Sequence, residues 1–434
     1  MSQKFQRNEH LVKMHNQTLD EADLRDRFIP MSDSKVDGNK VYDYALEGLR
    51  GLAALWVAYS HIFFFKFNLD PAYHPTFPFG EFFNAAHGGI LIFFTLSGYV
   101  IGITNQLPFS RSNAIRYLLR RLVRLYPIYL VAILLGILSA PTDTWKTIVG
   151  NLFFLQGPVS ALLAGNGVLW TLHYEVVYYI IFLAVWYFRP KVIPLMVGAL
   201  IIACLAVFLP AFPSIISGYA AGWVFWLFGL WLAWKKPRSI TFTKFPLFTY
   251  ILLYMATDKL AIGKVVLNNL GLVTTKLSEI SITDFIYLPL CAVLFAALTQ
   301  RQIPYARWYL AIAIAIPLAH TSYLFASGQL FGNAAELIAV GHMLLGLALI
   351  RWQVSPDIFT HLAFFGSISY GIYVFHSPIM NFMNKLSAFS GSPITFMIRI
   401  LIWAGLTIGI SYLLELKVQP IIKRWFQQKV LNRV

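Results

Sequence analysis

Arg50 and His61 stand eleven residues apart in Glu47-Gly-Leu-Arg-Gly-Leu-Ala-Ala-Leu-Trp-Val-Ala-Tyr-Ser-His61, with only apolar and small residues between them. On an α-helix that spacing is three turns plus about 20°, so the two side chains share a stripe about 16 Å long. That length is roughly half the hydrocarbon core of a bilayer. An ionisable group at such a depth costs at least about 2.5 kcal/mol and ordinarily faces a protein interior or a watery cavity. The pair reads either as the wall of a polar pocket or, more blandly, as a snorkelling arginine above an isolated interior histidine.

Three further groups of residues carry chemistry. The densest basic run is Arg111, Arg116, Arg120, Arg121 and Arg124, followed by Tyr126-Pro127. Arg111 and Arg116 read as a topological anchor. Arg120, Arg121 and Arg124, three and four apart, share a helical face and form a tighter group than topology requires. Clustered guanidiniums grip phosphate bidentately, which suits an anionic cytoplasmic ligand held by side chains, since no glycine-rich nucleotide loop is present. The second group is Trp170-Thr-Leu-His-Tyr-Glu175, where a carboxylate among apolar residues needs a partner or a proton. His173 lies two residues away and points to another face. The third is Tyr370, Tyr373 and His376, recurring every three residues. Packing explains Tyr370, whereas Tyr373 and His376 together favour a pocket. Ser97-Gly98 reads as a close helix contact by small residues. Cys204 and Cys291 sit in apolar segments and predict neither a disulfide, a metal site nor a thiol nucleophile.

The elements that position these groups follow from composition. The chain has 434 residues, 58% hydrophobic and 12% charged, with a mean hydropathy of +0.64. A soluble chain would carry about a quarter charged residues. The sequence predicts an all-α, polytopic transmembrane helical bundle. Its net charge of +15 is distributed as short Lys/Arg runs between apolar segments, which is positive-inside topology rather than a nucleic-acid surface. Apolar segments run approximately over 45–66, 84–104, 117–140, 169–188, 192–209, 214–234, 246–263, 284–300, 304–325, 329–351, 366–385 and 394–417. Basic loops follow the even-numbered segments, which predicts cytoplasmic termini and an even number of spans: twelve, or ten if one pair is re-entrant. Residues 1–43 form a polar cytoplasmic tail, 44–417 the membrane domain, and 418–434 a basic amphipathic tail on the cytoplasmic leaflet. The loop Pro141–Gly167 either re-enters the membrane or lies on its outer face. On this topology His61 lies within about 8 Å of the outer edge and Glu175 about 9 Å below it, so the two are expected to meet.

Taken in order, these stretches resemble the acyltransferase-3 family of bacterial integral-membrane O-acyltransferases over residues 44 to 425. The likeness rests on Arg50 to His61, Phe93-Phe-Thr-Leu-Ser-Gly-Tyr99, Arg121-x-x-Arg124 with Tyr126-Pro127, Trp170-Thr-Leu-x-x-Glu175 with Tyr178-Tyr179, and Ser369-Tyr370 to His376. Glu47 stands where the family usually has Asp, and the family core is usually described as ten spans. The resemblance implies a multi-pass protein of the bacterial inner membrane. It implies transfer of an acyl group, most often acetyl from acetyl-CoA, to a hydroxyl of a carbohydrate or glycolipid acceptor. Acyl-CoA is then a co-substrate, with no bound cofactor, metal or nucleic-acid partner. In that frame His61 is the base, Glu175 orients it or moves protons, and Arg50 guides the donor or stabilises charge. Arg120, Arg121 and Arg124 hold CoA phosphates, while Trp170, Tyr373 and His376 line the substrate pocket. The rival class is a secondary transporter of an anionic or sugar-derived solute, against which stands the lack of an internal repeat.

Overall fold

The computed structural model describes residues 43–75, 82, 86–209, 211–235, 244–272, 279–299, 306–330 and 332–430. The expected polar tail therefore lies outside the described residues except for Asp43. The helices are α1 (Tyr44–Phe64), α2 (Ala86–Thr104), α3 (Arg111–Ser139), α4 (Trp145–Leu152), α5 (Trp170–Phe188), α6 (Val192–Phe208), α7 (Ser214–Trp234), α8 (Leu247–Lys259), α9 (Ile262–Asn269), α10 (Leu288–Leu298), α11 (Ala306–Ala326), α12 (Ala334–Ala348), α13 (Ala363–Ser367), α14 (Ser369–Asn384), α15 (Pro393–Tyr412) and α16 (Gln419–Lys429). The described residues contain no strand, only two isolated bridges. The chain is a polytopic helical membrane protein.

Six stretches are long and apolar enough to cross a membrane, and a seventh is the pair Pro356–Ser367 and Ser369–Asn384, bent by 59° at Ile368. The sequence reading expected ten to twelve spans. Several expected segments are instead short or divided: residues 246–263 break after Lys259, and 284–300 open on a 3-10 turn over Ile282–Tyr287. α1 is 21 residues long but carries Glu47, Arg50 and His61, and it falls outside the six.

Two crossings set the architecture, and both are made by glycine. A Cβ on Gly98 of α2 would lie 1.9 Å from the Trp226 carbonyl oxygen of α7, as the expectation of close approach at Ser97-Gly98 required. A Cβ on Gly51 would lie 2.5 Å from the backbone nitrogen of Gly366, and one on Gly366 would lie 2.0 Å from the Glu47 carbonyl oxygen. α1 thus runs against the bent α13–α14 segment at backbone contact, as small residues permit in lipid.

Proline breaks in these helices are repaired from outside. Pro127 leaves the carbonyl of Val123 without its i+4 donor, and Gln419 Nε2 at the start of α16 donates to it at 2.6 Å. Pro378 does the same to Val374, whose carbonyl accepts from Asn166 Nδ2 at 3.0 Å. Asn166 belongs to the stretch between α3 and α5, which dips back into the bundle. Tyr126 donates to the Leu152 carbonyl at 3.3 Å, and Tyr126 lies about 20 Å along α3 from its Ser139 end. The stretch Pro141–Gly167 thus folds back along α3. Several of its polar groups bond inside: Tyr129 donates to the Asn151 carbonyl at 2.7 Å, and Gln156 Nε2 donates to the Leu169 carbonyl at 2.9 Å, while Asn151 Oδ1, Gln156 Oε1 and Asn166 Oδ1 are buried without a donor among the described residues.

Candidate active site

α1 and α14 run side by side, and the stripe of Arg50 and His61 faces the α13–α14 segment at both ends. At one end, Arg50 donates to the Gly366 carbonyl through Nη2 at 3.0 Å and pairs with Glu47 one turn before it. Its hydrogen-bonding arms are turned to its own helix and the bend. At the other end, His61 Nδ1 and His376 Nε2 are 2.8 Å apart, and His376 Nδ1 is 3.1 Å from the Ile372 carbonyl.

That chain of contacts decides the tautomers. A carbonyl only accepts, so His376 Nδ1 carries a hydrogen and its Nε2 presents a lone pair. His61 Nδ1 must then be the donor, which leaves the lone pair of a neutral His61 on Nε2. No hydrogen bond to that atom exists among the described residues, and His61 is half-buried where His376 is fully buried. The His376 backbone is itself held by Trp403 Nε1, which donates to its carbonyl at 2.9 Å.

Below the pair, toward the basic end of α3, Tyr373 donates to the Val168 carbonyl at 2.9 Å and accepts from Thr171 at 2.8 Å. Its ring meets Phe93 edge-on, with centroids 5.8 Å apart. Ser97, one turn along α2, donates to Glu175 at 3.4 Å, and Tyr179 donates to the same carboxylate oxygen. The Arg121 guanidinium lies over the Tyr179 ring at 5.3 Å. Between Gly88 and Gly102 the residues of α2 that are not buried are Phe93, Ser97 and Val100. Spaced by four and three, they form one stripe, and its contacts with Tyr373 and Glu175 turn it to the interior. A chain of side-chain contacts therefore leads from Arg121 through Tyr179, Glu175 and Ser97 on one side and from Phe93 through Tyr373 to His376 and His61 on the other.

A family profile described as an acyltransferase domain (Acyl_transf_3) matches residues 43–416. The chain belongs to the acyltransferase-3 family. No curated protein and no solved structure matches it. The family domain begins just before α1 and ends just past α15, so His61, His376, Tyr373, Glu175 and Arg121 all lie within it.

Within this acyltransferase domain the expected site residues divide. His61 and His376 meet, but His61 and Glu175 do not form the pair expected from their depths. The head of α5 meets α14 at Tyr373, to which Thr171 donates. Glu175 is one turn further toward the basic end than Thr171, and His376 nearly one turn the other way from Tyr373. The two residues are thus separated by about 10 Å along the bundle.

The arginine group divides too. Arg121 lies over Tyr117 and Tyr179, whereas Arg124 is within electrostatic reach of Glu47 and Glu415. Arg120 is half-buried on the same helix. Trp170 packs edge-on against Tyr174, centroids 5.3 Å apart, at the head of α5. His173, treated as secondary in the sequence, bonds the Phe154 carbonyl and the Tyr219 hydroxyl. Among the described residues no group of three or more His, Cys, Asp or Glu is arranged to hold a metal.

The sequence reading missed a knot just beyond the histidines. Arg399 and Asp70 are both fully buried, with Nε and Oδ2 3.6 Å apart. Arg399 also donates to the carbonyls of Leu69 at 3.0 Å and Met383 at 2.6 Å. Asp70 accepts from the backbone nitrogens of Ala72 and Tyr73, each at 3.0 Å. This knot ties the loop after α1 to the ends of α14 and α15. An arginine in the apolar run Pro393–Tyr412, expensive unless partnered, was the signal in the sequence.

Proposed function

We propose that the protein is a membrane O-acyltransferase that moves an acetyl group from cytoplasmic acetyl-CoA to a hydroxyl of a carbohydrate or glycolipid acceptor. The observation that carries this reading is the chain of contacts with different chemistry at its two ends. Guanidiniums suited to phosphate stand at the basic end, and a histidine with an unused Nε2 lone pair stands at the other. Positive-inside topology puts the basic end in the cytoplasm, where acyl-CoA is found, and leaves the histidines nearer the outer face, where exported glycans are reached.

In this mechanism Arg120, Arg121 and Arg124 receive the CoA phosphates and the thioester lies at His61. Nε2 of His61 takes the acceptor hydroxyl proton as the oxygen attacks the thioester carbonyl. The carbon–sulfur bond breaks, the proton passes from the imidazolium to the departing thiolate, and the products are the ester and free CoA thiol. His376 Nε2 accepts a hydrogen bond from His61 Nδ1–H throughout, and that hydrogen bond strengthens when the ring becomes cationic. Arg50 sits at the hinge of the α13–α14 bend and shapes the inner end of the path rather than binding the donor.

The test is incubation of purified protein with acetyl-labelled acetyl-CoA and membranes containing surface glycans. Label entering a glycan ester with release of free thiol is the expected result. Label that remains on CoA, with His61→Ala and native protein indistinguishable, refutes the reading.

A further inference from the structure

Glu175 has no catalytic task in the mechanism above, because it is hydrogen-bonded to neither histidine. Its surroundings are those of a binding group. One carboxylate oxygen accepts from Tyr179 and from Ser97, the latter at 3.4 Å. Those two donors fix the rotamer. The second oxygen accepts no hydrogen bond among the described residues, and the side chain is half-buried against the Phe93–Ser97–Val100 stripe of α2 rather than sealed in the core. A carboxylate held there is costly unless something donates to it.

Position narrows what that donor is. Arg121 lies over the Tyr179 ring, so Glu175 is one side chain further along the path from the guanidiniums, and Tyr373 and the histidines come after it. An acyl-CoA with its phosphates on the arginines and its thioester at His61 must run its pantetheine arm past Glu175. That arm is uncharged, and its secondary amide N–H groups are hydrogen-bond donors that need an acceptor wherever they leave water. We infer that Glu175, held by Ser97 and Tyr179, is a subsite for the amide-bearing arm of the donor, its unoccupied oxygen accepting an amide N–H. The inference rests on the acyl-CoA reading and deepens it. It replaces the proton-transfer role that the sequence suggested for this residue.

Glu175→Gln tests it with little change of shape. Tyr179 and Ser97 keep hold of the carbonyl oxygen, so the amide NH2 takes the outer position and meets the arm donor against donor. Purified full-length protein is titrated with CoA, and the melting temperature of each ligand-free form is recorded alongside. The expected result is CoA affinity about 10- to 100-fold weaker, the scale of a hydrogen bond to a charged group, with an unchanged melting temperature and a loss of turnover carried by KM. CoA affinity equal to native with a fallen kcat overturns the subsite and returns Glu175 to proton transfer. A lowered melting temperature together with lost binding overturns it in favour of packing. Native protein that binds no CoA refutes the underlying donor reading instead, which separates the two failures.

Discussion

The contact that most sharply tests the mechanism is the one between His61 and His376. Replacing His376 with Leu removes the acceptor that fixes the His61 tautomer at a separation of 2.8 Å. Between neutral partners such a bond contributes about 0.5–1.5 kcal/mol, but in the transition state the donor is an imidazolium and the figure rises to about 1.5–3 kcal/mol. At about 1.4 kcal/mol per tenfold, His376→Leu should lower the transfer rate by about 10- to 150-fold. His376→Gln should recover most of that loss, since its carbonyl oxygen can stand where Nε2 accepted. His61→Ala should cost at least about a hundredfold, the scale of general base catalysis. The double variant His61→Ala/His376→Leu should be little worse than His61→Ala alone, because His376 acts only through His61. By contrast, Glu175→Gln combined with His61→Ala should multiply, since the two residues do not touch. The assay is transfer of labelled acetyl from acetyl-CoA at equal membrane levels of each variant. Native-like turnover in His61→Ala would sink the base assignment. Multiplicative losses at His61 and His376 would show that His376 has a separate role, such as contacting the acceptor.

Arg121→Gln with Arg124→Gln should weaken acyl-CoA binding in protein that still inserts normally; unchanged donor affinity would take both out of the site. Arg399→Met leaves Asp70 buried without its counter-charge, a change that costs about 3–5 kcal/mol when a buried pair is broken. It should lower the melting temperature of the detergent-solubilised protein markedly, and an unshifted melting temperature would refute the structural role given to the knot. A cysteine introduced at Asn68 should be labelled by an impermeant reagent added outside intact cells, and one at Ser112 should not; the reverse pattern would invert the path and the mechanism with it.

Much of this protein is written along the chain. Hydrophobic composition demanded a membrane bundle. The eleven-residue spacing of Arg50 and His61 put both on one stripe, and α1 does present both to one partner, the α13–α14 segment. Small residues at Gly98 announced a close helix crossing. These are local properties: helical period, side-chain volume and the cost of charge in lipid do not depend on what lies opposite.

What lies opposite was decided only by the tertiary structure. Glu175 and His61 share an estimated depth if α5 starts at the membrane surface. The stretch before it folds back along α3 and the head of α5 meets Tyr373, so the carboxylate lies nearer Arg121 and the histidine finds His376 instead. Gln419 and Asn166 carry no catalytic pattern in the sequence, yet each fills a carbonyl that a proline on another helix leaves open. A sequence shows which groups must find partners in a medium without water. Which partner each one finds depends on where the helices begin, and that is set by packing between residues hundreds of positions apart.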